Sequence, residues 1–144
     1  GKVFLYLSKD AKAPKDEMVG VDRFPCFAMA VKNIKPNDKV IFDDAAISYP
    51  VSLSDIERGA YHAQVVWDRN EGGRSISASP GNMYSAPVTV SFSKNTNQSF
   101  TIICTEVIKE PSFTETQYIK EIKAPSALMT TFYKRPTSVE VEVR

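Results

Sequence analysis

The chain has 144 residues and a formal net charge of +1, because 18 Lys and Arg side chains nearly balance 17 Asp and Glu. A chain of this length buries roughly 68–70% of its unfolded surface, which is enough for one main domain. The balanced charge excludes the basic surface of a nucleic-acid binder or an anionic-membrane binder. The 42% hydrophobic fraction excludes a disordered chain. No apolar run reaches the ~20 residues of a membrane helix, so we expect a globular chain without a membrane span.

Short strands separated by polar turns are predicted along most of the chain. Val, Ile and Thr far outnumber Leu, and β-branched side chains fit a pleated sheet better than a helix. A turn is predicted at 35–38, where Pro36 presets the bend. Residues 52–59 have the only helix-start pattern in the chain and are predicted to form a connector of about one helical turn. The predicted strands are 2–7, 24–34, 39–42, 45–51, 61–67, 88–92 and 100–108.

The strand at 61–67 has the clearest alternation, with Tyr61, Ala63, Val65 and Trp67 on one face, which is predicted to be the core face. Many short strands between Gly, Pro, Asn and Asp turns predict an all-β fold, an immunoglobulin-like antiparallel β-sandwich. We expect this domain to cover residues 1–110. Residues 111–144 then form a linker and a further strand at 139–143.

A tyrosine corner is predicted where this strand begins. Ile56, Gly59 and Tyr61 have its spacing, in which the tyrosine hydroxyl bonds backward to the chain just upstream, here near residues 56–57. The alternative is that Tyr61 is only the first core residue of its strand. The sandwich prediction holds under either interpretation.

Residues able to carry chemistry are few. The nucleophile elbow Gly-x-Ser-x-Gly does not occur in the sequence. The only histidine, His62, lies in an alternating strand, where a half-exposed strand residue is more common than a general base. Cys26 and Cys104 lack the spacing of a zinc site, and they form either one bridge or two small buried hydrophobic residues. We expect no catalytic residue, no cofactor and no metal site in this chain.

The candidate ligand or interface residues are Asn82, Tyr84, Trp67 and Arg74. The segment 79–87 is predicted to be ordered, because prolines at both ends fix φ while Gly and Asn tolerate a turn. Trp67 and Tyr84, with Tyr49, are able to form an aromatic platform for a sugar ring. Trp67 shares its strand face with Val65, however, and this favours packing in the core.

Four stretches resemble the N-terminal region of bacterial esterases related to enterochelin esterase. The most specific is 79–88, with the pattern Pro-Gly-Asn-apolar-Tyr-Ser-x-Pro-Val, and the others are 47–53, 59–64 and 118–122. The resemblance covers most of the chain and is vaguer before residue 43. The loop at 70–74, with its double glycine, departs from the family.

The resemblance implies a β-sandwich domain that precedes an α/β-hydrolase domain with a Ser/Asp/His site. It places the lead into the hydrolase at 126–136 and the hydrolase's opening strand at 139–144, so none of the family's catalytic residues falls within this chain. The expectation is therefore a non-catalytic accessory domain of a secreted or periplasmic esterase. Its expected partners are the C-terminal hydrolase domain of the same polypeptide and a carbohydrate or ester substrate. The alternatives are a carbohydrate-binding module and a cell-surface interaction module.

Overall fold

A computed structural model of the chain describes residues 1–17, 25–69, 73, 75–93 and 98–143, with only the backbone of Glu142. The chain divides into two compact units, Gly1–Glu110 and Pro111–Arg144. The first unit contains seven described strands, one short helix and one turn of 3₁₀ helix at Leu53–Asp55. These elements are β1 (Lys2–Ser8), α1 (Pro14–Glu17), β2 (Cys26–Ala30), β3 (Ile47–Tyr49), β4 (Gly59–Asp68), β5 (Met83–Ser85), β6 (Val88–Phe92) and β7 (Cys104–Val107).

The seven strands pair antiparallel in the order β3, β2, β1, β4, β5, β7, and β6 also pairs with β4. The ten-residue β4 organises this sheet. One edge of β4 pairs with β1, while its other edge pairs first with β6 and then, at Val66 and Trp67, with β5. The fold is all-β, antiparallel and sandwich-like, which confirms the class predicted from the sequence.

One face of the sheet carries the main hydrophobic cluster. Leu7 lies opposite Ala63 and Leu5 opposite Val65, so these residues of β1 extend the predicted core face of β4. The cluster consists of the buried residues Leu7, Phe27, Ala46, Tyr61, Ala63 and Val90, with Leu5, Met29, Phe42, Leu53, Ile56, Phe92 and Ile102 packed against it.

The opposite face of β1 and β4 is also covered. Tyr6, Gln64 and Val66 are all buried there, because α1 packs against β1 and β4. Burial raises the pKa of the Tyr6 phenol. The sequence prediction assigned one face of β4 to the core, whereas the structure buries both.

The predicted strand at 39–42 is wrong, since these residues form no strand. Phe42 packs against the hydrophobic cluster while Ile41 remains 73% exposed, and neither residue has a neighbouring strand to pair with. The turn predicted just before it is confirmed, because the Asp38 amide donates to the Lys35 carbonyl at 3.1 Å and the Lys35 amide donates to Asp38 Oδ2 at 2.8 Å.

The tyrosine corner is confirmed. The Tyr61 hydroxyl donates a hydrogen bond to the Glu57 carbonyl oxygen at 2.9 Å, and the side chain is only 4% exposed. The Phe92 ring meets the Tyr61 ring edge-on, with centroids 5.5 Å apart. The bond fixes the start of β4 while the ring fills the core.

Replacing Tyr61 with Phe is expected to lower the free energy of unfolding by about 1 kcal/mol, because the hydrogen bond is lost and the ring packing is kept. Urea denaturation measures this change. Tyr118→Phe is the matched control, since Tyr118 is 75% exposed, and its midpoint should equal that of the parent chain. If the urea midpoint of Tyr61→Phe equalled that of Tyr118→Phe, the result would contradict a stabilising role for the tyrosine corner.

The second unit contains β8 (Lys120–Pro125), α2 (Ala127–Tyr133) and β9 (Ser138–Val143). The Ser126 side chain caps α2 by accepting a hydrogen bond from the Met129 amide at 3.3 Å. β9 pairs antiparallel with β8 along its whole length. The strand predicted at 139–143 therefore has a strand partner within its own unit, and α2 was not predicted. No helix among the described residues is both long and apolar enough to cross a membrane.

Candidate functional site

The segment 79–87, expected to be ordered, contains β5 and is held by the Asn82 side chain. Asn82 is 0% exposed. Its Oδ1 accepts a hydrogen bond from the Arg69 amide at 2.8 Å, and its Nδ2 donates to the Ile76 carbonyl at 3.0 Å. Its backbone carbonyl accepts from the Ile108 amide at 2.8 Å. Asn82 thus joins the end of β4 to the nearby Ile76 and to Ile108, which follows β7.

This placement gives Asn82 a positioning role for the segment. Both polar ends of the amide bond to backbone, and the side chain has no exposed surface. Pro-Gly before an asparagine is typical of a turn, but nothing in that pattern identifies which carbonyl and amide the side chain reaches. Any interaction surface on the segment 79–87 is therefore formed by the residues around Asn82, chiefly Tyr84.

A second buried polar group, Gln64, was not identified from the sequence. Gln64 is 2% exposed. Its Nε2 donates to the Ser85 carbonyl at 2.9 Å, and its Oε1 accepts from the Lys15 amide at 3.0 Å. The Ser85 hydroxyl oxygen accepts from the Val65 amide at 3.0 Å. Because the ladder between β5 and β4 covers only Met83 and Tyr84, these side-chain bonds attach β5 to β4 where the regular ladder ends.

Tyr84 lies beside these bonds. It is partly exposed and pairs with Val66. Its ring faces Lys15, whose Nζ is 4.6 Å from the ring centroid. Lys15 also forms an ion pair with Asp16. A partner reaching Tyr84 therefore meets an aromatic ring bordered by a cation from α1.

The three aromatic residues considered for a platform are not brought together. Tyr84 pairs with Val66, and Trp67 pairs with Met83. Successive strand residues point to opposite faces, so Trp67 and Tyr84 lie on opposite faces of the sheet. Tyr49 lies on β3, at the far end of the strand order from β5 and β7. Arg74, the fourth candidate residue, lies outside the described residues.

Trp67 borders a cleft on its own face. The indole is partly exposed, and the Arg69 guanidinium lies 5.0 Å from its ring centroid. The cleft is wide open to solvent and lies between the end of β4 and the chain that follows β2. Its lining includes Val31, Lys32, Asn33, Ile34, Trp67 and Arg69.

Neither cysteine is part of a disulfide bond, and both are partly buried. Cys26 lies on β2 and Cys104 on β7, and the strand order places β1, β4 and β5 between them. Burial raises the pKa of the Cys104 thiol to about 11, and its Sγ is 3.8 Å from the Val65 carbonyl oxygen. The sequence left open either a disulfide bond or two unbonded cysteines, and in the structure Cys26 and Cys104 are not bonded to each other.

His62 lies on β4 opposite Ser8 of β1 and Thr89 of β6. The Ser8 hydroxyl oxygen accepts hydrogen bonds from the amides of Ala11 at 2.8 Å and Asp10 at 3.2 Å, so Ser8 orders the turn after β1. Within the described part of the chain, no three His, Cys, Asp or Glu side chains are grouped as a metal site would require.

Comparison of the chain with protein-family models, with curated proteins and with solved structures finds no match.

Proposed function

We propose that the chain is a non-catalytic, immunoglobulin-like accessory module of a secreted or periplasmic bacterial esterase. In this proposal the unit Gly1–Glu110 helps to frame the substrate cleft, and the unit Pro111–Arg144 belongs to the start of an α/β-hydrolase domain. The esterase class and the compartment rest on the resemblance of the stretches around 47–53 and 79–88. The observation that carries the proposal is the uncovered apolar face of the hairpin formed by β8 and β9.

The hairpin has one apolar and one charged face. Ile122 pairs with Val141 and Ala124 with Val139, so these side chains share a face. On the other face Lys123 Nζ lies 2.9 Å from Glu140 and 3.5 Å from Glu121. The apolar side chains are nevertheless exposed, at 52% for Ile122, 43% for Val139, 47% for Val141 and 46% for Val143.

A two-stranded sheet in water is marginal unless its apolar face is covered. The helix between the strands adds to the exposed apolar surface, because Leu128 is 82% and Phe132 77% exposed. Exposed apolar side chains of this kind are typical of a contact with more protein. In this proposal, the protein that covers the hairpin is the hydrolase domain, whose strands and helices follow in the same polypeptide.

The test uses the natural polypeptide that contains this chain. A fluorophosphonate probe, which labels activated serines, should modify one serine outside the 144 residues, and the chain alone should remain unlabelled. Amides of β8 and β9 should exchange with solvent more slowly in the long polypeptide than in the chain alone, because the hairpin is then covered. Labelling of a serine within the chain, or no labelling of the long polypeptide, would overturn the esterase proposal.

A pair of variants tests the hairpin face itself. Val141→Asp places a carboxylate on the apolar face, and Ser138→Asp places the same group on the charged face of the same strand. In the long polypeptide Val141→Asp should lower the melting temperature and the labelling, while Ser138→Asp should leave both near the parent values. Equal effects of the two substitutions would contradict a covered apolar face.

A further inference from the structure

We draw no further inference here: the strongest candidate, the exposed apolar patch that Ile47 and Tyr49 form on β3 at the edge of the sheet, carries nothing, because nothing in the part of the chain that the structure describes shows what covers it.

Discussion

Replacing Asn82 with Ala is expected to lower the free energy of unfolding by about 3 kcal/mol, because two hydrogen bonds are lost and their backbone partners are left without them. Those partners are the Arg69 amide and the Ile76 carbonyl. The side chain is 0% exposed, so water cannot readily take its place. Urea denaturation measures the total loss, and hydrogen exchange should show faster opening around β5 than around β1.

Gln98→Ala is the matched control for this variant. It also removes a side-chain amide, but the Gln98 bond to the Ser93 amide, at 3.1 Å, is exposed. The control should therefore change the free energy of unfolding by no more than about 0.5 kcal/mol. A similar decrease in the free energy of unfolding in the two variants would show that Asn82 does not stabilise the segment 79–87. Tyr84 would then lack the support proposed for it.

Phe27→Ala is expected to be the most destabilising single substitution, costing about 4 kcal/mol from lost burial and from the cavity that remains. Phe27 is 0% exposed in the main cluster. It lies on β2, opposite Leu5 of β1 and Ser48 of β3, so its ring joins the edge of the sheet to its centre. A loss of this size is a large part of the 5–15 kcal/mol typical of a folded domain.

The control for Phe27 is Phe132→Ala, in which the same side chain is removed from a site that is 77% exposed. Thermal unfolding followed by near-ultraviolet circular dichroism should show a large decrease in melting temperature for Phe27→Ala and little change for Phe132→Ala. Phe27→Leu, which retains most of the volume, should lie between the parent and the alanine variant. An unchanged melting temperature in Phe27→Ala would contradict the placement of Phe27 in the main hydrophobic cluster.

The strands β1, β4 and β6 and the tyrosine corner follow from the sequence because their signals are local. Alternation over five or more residues indicates which side chains share a face, and the spacing from Ile56 to Tyr61 contains the whole corner motif. The same pattern does not indicate whether the second face is covered. For this reason Gln64 was not recognised as buried, since its partner Lys15 is 49 residues away in the sequence.

The sequence by itself determined the all-β class, the position of the longest strand and the turn at 35–38, because each depends on neighbouring residues. Only the tertiary structure decided that Asn82 faces inward, that Trp67 and Tyr84 point to opposite faces, and that β9 pairs with β8. Strands of three residues such as β5 carry too few positions for a period to be visible. Buried polar side chains are satisfied by whichever backbone groups the fold brings near, and those contacts join residues that are far apart in the chain.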